Sequence, residues 1–395
     1  MIKQNFMEKL LDEAEVEWKT LEDVAVKISS GGTPRTGVSE YYDGEIPWLR
    51  TQEINFGEIW DTSVKITALG LKNSSAKLIP ANCVIVAMYG ATVGKIGINK
   101  IPLSTNQACA NIQLDYKVAN YRYVFNYLSS KYDHIKSLGT GSQTNINAQI
   151  VKKYPIPIPC PEDPEKSLEI QKEIVRILDT FTELTAELTA ELTARKKQYS
   201  YYRDKLLTFE DGEVEWKLLG EVVKLQRGRR LVKSELEEHG EYAVYQNSMT
   251  PLGYYHENNV KADTTFIISA GSAGEIGYSE VDFWAADDVF FFLPPDNIIN
   301  KFLYYFLLTQ QRIISGQVRR ASVPRLSKNV IEKLKLPIPS IEKQKYIVLI
   351  LDKFNTITTS ITEGLPREIA LRQKQYEYYR NLLLSFPKEA EDARL

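Results

Sequence analysis

Large apolar residues follow two different rhythms along this chain. Ile170, Ile174, Ile177, Phe181, Leu184 and Leu188 are spaced 4, 3, 4, 3 and 4 residues apart, the alternation that keeps one seam of a helix facing a partner helix. Leu192, Tyr199, Tyr202 and Leu206 continue that seam. A second stretch places Ile347, Ile350, Phe354, Ile357 and Ile361 at spacings of 3, 4, 3 and 4, followed by Tyr376, Tyr379 and Leu383. Glu165 to Leu207 contains neither Gly nor Pro, so at ~1.5 Å per residue it predicts one unbroken helix of about 60 Å. The second stretch meets Gly364-Leu365-Pro366, which predicts a kink or a restart with Pro366 in a first turn. Elsewhere, short β-branched and aromatic runs bounded by Gly, Pro, Asn and Asp, such as Thr264 to Ser269 and Val289 to Leu293, predict strands. Tyr121 to Ser130 and Lys301 to Gln311 carry helical spacing within those regions. The expected class is α+β, with strand-rich domains alternating with long helices.

The two rhythms occur twice, because the chain is a tandem duplication. Val16-Glu17-Trp18-Lys19-x-Leu21 reappears as Val214-Glu215-Trp216-Lys217-x-Leu219, and Gly94-Lys95-Ile96-Gly97 as Gly274-Glu275-Ile276-Gly277. Pro157-Ile158-Pro159 matches Pro337-Ile338-Pro339, and the stretch from Gln171 to Ile177-Leu178-Asp179-x-Phe181 matches that from Gln344 to Ile350-Leu351-Asp352-x-Phe354. The fifteen residues Arg195 to Phe209 align with Arg372 to Phe386 at ten identical positions. Five matches in one order predict two similar domains, 1–155 and 211–336, each followed by a helical region, 156–210 and 337–395, that pairs as an antiparallel coiled-coil spacer with pseudo-twofold symmetry. The first helix also holds Thr-Ala-Glu-Leu units at Thr185–Leu188 and Thr189–Leu192. Asp179 to Arg195 spans sixteen positions and Asp352 to Arg372 twenty, so the second copy is longer by one such unit, an insertion that nearly preserves a helical face.

Composition narrows the function classes. The chain has 395 residues, 43% hydrophobic and 25% charged, with a formal net charge of −2, ordinary values for a globular protein. No run of eighteen apolar residues or secretory signal is present, which predicts a cytoplasmic protein with no membrane role. Cys83, Cys109 and Cys160 and the histidines His134, His239 and His256 are scattered, which predicts buried thiols and no metal site. Gly90-Ala-Thr-Val-Gly94-Lys95 imitates a phosphate-binding loop, but it has three residues between its glycines and Ile96 where Ser or Thr should hold magnesium. Gly139-Thr140-Gly141 lacks the third glycine and the later acidic residue of a dinucleotide fold. No catalytic arrangement survives, so the chain is expected to be a non-enzyme.

Two similar domains on a rigid rod form a caliper, which suits duplex DNA, whose half-sites mirror the symmetry of the protein that reads them. The loops carry the side chains for base edges and phosphates. In the first domain the candidates are Arg35, then Arg50, Thr51 and Gln52, then Tyr89, Thr92 and Lys95, then Asn106 and Gln107, then Gln143 and Asn145. In the second they are Arg227, Arg229 and Arg230, then Gln246 and Asn247, then Ser272, then Arg319, Arg320 and Arg325. The arginines stand out because like charges without acidic neighbours need solvent or anions. Trp18 and Trp216 are expected as core anchors, and Tyr199, Tyr201, Tyr202, Tyr376, Tyr378 and Tyr379 as packing for a helix pair or a protein interface.

With these residues assembled, the chain resembles the specificity subunits of type I restriction–modification systems over essentially its whole length. The resemblance rests on the duplicated Val-Glu-Trp-Lys, the Gly-x-Ile-Gly turns, Asn106-Gln107 against Asp287-Asp288, the Pro-Ile-Pro motifs and the paired Arg-x-Lys-Gln-Tyr-x-Tyr-Tyr-Arg endings. The Thr-Ala-Glu-Leu units are similar to those of the type IC branch. The resemblance implies two target-recognition domains reading a bipartite, asymmetric double-stranded DNA sequence, with helices that set the gap and dock two modification subunits. S-adenosylmethionine chemistry then belongs to those modification subunits, and ATP- and Mg2+-dependent translocation and cleavage to restriction subunits, with no cofactor in this chain. Two rival readings stand beside it. One is the recognition part of an active methyltransferase, although no Asn-Pro-Pro-Tyr motif is present; the other is a coiled-coil adaptor with no DNA role.

Overall fold

The structure, a computed structural model, describes residues 15–139, 145–210 and 212–386. It divides into two compact units, Met1–Ala186 with Ala370–Leu395, and Glu187–Ile369. Each unit joins one globular domain to helical pieces from two distant parts of the sequence.

In the first unit, Val16–Thr20 pairs antiparallel with Pro155–Pro159, placing Trp18 opposite Pro157. The motifs that open and close the repeat are therefore hydrogen-bonded partners. Between them lies a five-stranded sheet in the order Ala25–Ser30, Cys109–Leu114, Val84–Ala87, Ile96–Asn99 and Gly57–Ile59. Its first four strands are antiparallel and the last is parallel to its neighbour. A second sheet runs Lys65–Ile66, Tyr42–Leu49, Leu103–Thr105 and Leu78–Ile79. Helix Tyr121–Ser130 buries Tyr123, Val124, Tyr127 and Leu128, and Asn120 caps its start by accepting from the Arg122 and Tyr123 amides.

The second unit repeats the plan. Glu215–Leu218 pairs with Lys335–Ile338, and Trp216 again stands opposite the proline, Pro337. The main sheet runs Lys224–Arg227, Val289–Leu293, Thr264–Ile268 and Ile276–Ser279, the same order without the fifth strand. The smaller sheet, Gly253–Tyr255, Tyr242–Tyr245 and Trp284–Ala285, keeps one parallel pair, as Tyr42–Leu49 does with Leu103–Thr105. Helix Asn300–Thr309 buries Phe302, Leu303, Tyr305, Phe306 and Leu307. The α+β class and the duplicated topology predicted from the sequence are thus found.

The central helix runs unbroken from Pro164 to Leu206. Ile170, Ile174 and Leu178 are buried in the first core, and Phe181 stacks on Tyr379 with ring centroids 5.2 Å apart. In the second unit Tyr202 stacks on Phe354 at 5.5 Å. Tyr199 and Tyr376 also pack inward, whereas Tyr201 and Tyr378 are exposed. The distal segment restarts as predicted. Helix Ile341–Thr359 stops, Ser360 accepts from the Thr362 and Glu363 amides, and Gly364–Leu383 begins with Gly364 at φ +76° and Pro366 in its first turn.

Three expectations are corrected. The extra four residues of the second copy do not extend a helix, because Ser360 to Glu363 form the interruption itself. The second seam is shifted, with Gln344, Ile347, Leu351 and Thr358 buried while Ile357 and Ile361 are exposed; the helix ends before Ile361. Trp216 is 41% exposed rather than a core anchor, since Glu215, Trp216 and Leu218 of its ribbon all face solvent. Trp18, half-buried, meets Tyr127 edge-on at 6.4 Å.

All three cysteines are free and buried. Burial pushes the Cys83 and Cys109 thiols up to about 12, so the reactive thiolate is scarce at pH 8. A disulfide reagent at pH 8 is expected to leave both unlabelled in the native protein and to label them in denaturant; fast native labelling at either would refute the packing described.

Candidate nucleic-acid interface

Main-chain hydrogen bonds draw the candidate loops of the first domain into one cluster. The Gly32 amide donates to the Thr105 carbonyl at 2.9 Å, and Asn106 to Leu49 at 2.9 Å, joining the loop of Arg35, the loop after Leu49 and the turn of Asn106-Gln107. The Thr92 hydroxyl donates to the Thr51 carbonyl at 2.8 Å, and the Ile146 amide to Met88 at 3.0 Å. Trp48 pins the first loop through its indole N–H on the Gly32 carbonyl at 3.0 Å. Gly31 is required there, because a Cβ would lie 1.9 Å from the Thr105 oxygen.

The second domain uses the same links. Arg229 donates through its amide to Ala285 at 2.9 Å, Ala286 to Tyr245 at 2.9 Å, Ser272 to Asn247 at 2.8 Å and Leu326 to Ser269 at 2.8 Å. The Trp284 indole donates to the Arg229 carbonyl at 3.0 Å. Arg319 and Arg325 exchange main-chain hydrogen bonds of 2.9 and 3.1 Å, so Arg319, Arg320 and Arg325 belong to one tight loop. Equivalent links place Asn145 and Arg325 at the same position of the two domains. They also move one pairing by a residue: Asn106-Gln107 corresponds to Ala286-Asp287, not to Asp287-Asp288.

The imitation phosphate loop is a hairpin turn with Gly90 at φ +83° and Gly94 at φ +80°. The amides of Val93, Gly94 and Lys95 donate to the Gly90, Ala87 and Thr92 carbonyls, so these three are not offered to a phosphate. Among the described residues no cluster of His, Cys, Asp and Glu could hold a metal, and no helix is long and apolar enough to cross a membrane.

A family profile described as "Type I restriction modification DNA specificity domain" matches residues 13–195 and 212–371. The chain belongs to that family. It is 36% identical to the EcoR124I/EcoR124II specificity subunit of Escherichia coli over 98% of each chain. It is 36% identical to the EcoprrI specificity subunit of the same organism over 92% of this chain and 93% of that one. Its fold is similar to that of a type I restriction-modification S subunit from M. genitalium, with a TM-score of 0.59 and 20% identity over 95% of this chain and 98% of that chain.

The two specificity domains of this chain hold their candidate side chains differently. In the first, Arg50 pairs with Glu53 at 3.5 Å and donates to Ser63 at 3.0 Å, and Lys95 donates to Asn55 at 2.8 Å. Asn106 spends its side-chain oxygen on its own turn, accepting from the Ala108 amide and the Cys109 thiol. Gln107 accepts from Thr33. Arg35, Gln52 and Tyr89 are exposed, and Asn145 is half-buried. Gln143 lies outside the described residues. In the second, Arg227 donates to the Asp287 carbonyl, Gln246 is half-buried, and Asn247, Arg229, Arg230, Arg319, Arg320 and Arg325 are exposed. Those five arginines make no ion pair among the described residues. The tryptophan pins escaped the sequence reading because they sit on different strands, Trp48 beside Ser104 and Trp284 beside Val244, so aligning the halves hides them.

Proposed function

We propose that this chain is the sequence-reading subunit of a type I restriction–modification complex. Each domain reads one half of a bipartite, asymmetric double-stranded DNA target through its loop cluster, and the helices set the gap and dock two modification subunits. Methyl transfer from S-adenosylmethionine is assigned to those partners, and ATP- and Mg2+-dependent cleavage to restriction subunits, in the cytoplasm. The chain itself supplies binding and no chemistry.

One observation carries this reading: the same fold is built twice with unlike side chains on equivalent loops, such as Asn145 and Arg325. Equivalent scaffolds give equivalent poses on DNA, and different side chains give different half-sites. Membership of the DNA specificity family supports it. The test is to map methylated bases across the genome of cells carrying this chain with its modification subunits. The expected result is one motif of two unlike half-sites at a constant gap; a single continuous motif, or none, would refute the proposal.

A further inference from the structure

The two loop clusters differ in the chemistry they leave unpaired. In the first, the candidate arginine Arg50 and the candidate lysine Lys95 already have protein partners, Arg35 is the one candidate arginine left exposed without an ion pair among the described residues, and the remainder is dominated by carboxamides and hydroxyls around Gln52 and Asn145. In the second, Arg229, Arg320 and Arg325 are exposed without ion pairs among the described residues, with half-buried Asp287 and Asp288 on the adjoining turn. Arginine matches the O6 and N7 acceptors of guanine bidentately, and a carboxylate accepts from the cytosine amino group. Asn and Gln match the N6 and N7 pattern of adenine instead, and threonine contacts the thymine methyl.

We propose that the second domain reads a half-site richer in G·C pairs than the half-site of the first. The inference rests on the DNA-reading function proposed above and names what each cluster recognises.

The test uses the full chain with its modification subunits in cells, read by methylation mapping, with Arg229→Lys, Arg320→Lys and Arg325→Lys made singly. Lysine keeps the charge for a phosphate but loses the bidentate fork. The wild-type motif is expected to have one half-site with more G·C pairs. At least one lysine variant should lose about tenfold to a hundredfold of its preference for G at one position of that half, leaving the other half and the gap intact. The intact half shows that the variant has folded. Half-sites of equal G·C content, or an unchanged motif in all three variants, overturn the inference while leaving bipartite DNA reading standing. The function itself fails only if the wild-type chain directs no bipartite motif.

Discussion

Exchanging Gln344 for leucine is expected to destabilise the second unit by about 2–5 kcal/mol. Gln344 is fully buried, and its side chain is consumed by three main-chain partners. Its amide donates to the Asn297 and Pro339 carbonyls, both at 2.9 Å, and its oxygen accepts from the Ile299 amide at 2.8 Å. Leucine leaves the buried Pro339 carbonyl and the part-buried Ile299 amide and Asn297 carbonyl without this partner, at about 1–3 kcal/mol for each group that water does not reach, and the added apolar burial offsets only part of that. Gln171 repeats the device in the first unit with two main-chain partners, the Val118 carbonyl and the Asn120 amide, plus the Ser167 hydroxyl. Gln171→Leu should therefore cost less, and leucine at exposed Gln149 close to nothing. Denaturant unfolding of the full chain measures all three; Gln344→Leu within about 0.5 kcal/mol of wild type, the scatter of ordinary surface substitutions, would show that the amide holds nothing.

These glutamines fix a helix to its reading domain, and a second repeated contact acts beside them. Arg122 bridges Asp179 at 2.7 Å and Glu58 at 2.9 Å, while Lys301 bridges Asp352 at 3.1 Å and Glu280 at 2.8 Å. Each pair is partly solvated and individually weak, so the buried amide is the stronger tie. The helix and the sheet of a unit then move as one body, which is what a spacer must do if its length is to be felt at the loops.

Much of this was legible in the sequence because repetition and period are local signals. The opening and closing motifs were visible as repeats; that they pair with each other at Trp18–Pro157 and Trp216–Pro337 needed the fold. The unbroken central helix followed from the absence of Gly and Pro, and the restart at Gly364 from their presence. The second seam went astray because Ile350 and Ile357 obey heptad spacing, while the buried stripe also takes Gln344 and Thr358, whose polar atoms are satisfied on main-chain groups. A pattern of apolar residues cannot register a buried glutamine. The loop residues stand out in the sequence only by type, and their gathering into one cluster per domain depends on main-chain hydrogen bonds that no side-chain pattern encodes. Whether an arginine there is free or bound, as Arg320 and Arg50 respectively are, depends on neighbours such as Glu53 and Ser63 in space.

Deleting Thr189 to Leu192 is expected to shorten the gap between the two half-sites by one or two base pairs while leaving both half-site sequences unchanged. The four residues account for ~6 Å of helix, at most about two base-pair rises of 3.4 Å. They also amount to slightly more than one turn, so the residues beyond them return to nearly the same face, rotated by roughly 40°. The ring pairs Phe181–Tyr379 and Tyr202–Phe354 lie on either side of the deletion, and no loop of either cluster includes the removed residues. No candidate loop residue is altered, so the change is expected in spacing alone. The distal segment already carries four non-helical residues, Ser360 to Glu363, where a change of path costs no helical hydrogen bonds. Methylation mapping of the deletion variant decides the matter. An unchanged gap at wild-type levels of modification would mean that helix length does not set it, and altered half-sites would mean that the loops feel the helix directly.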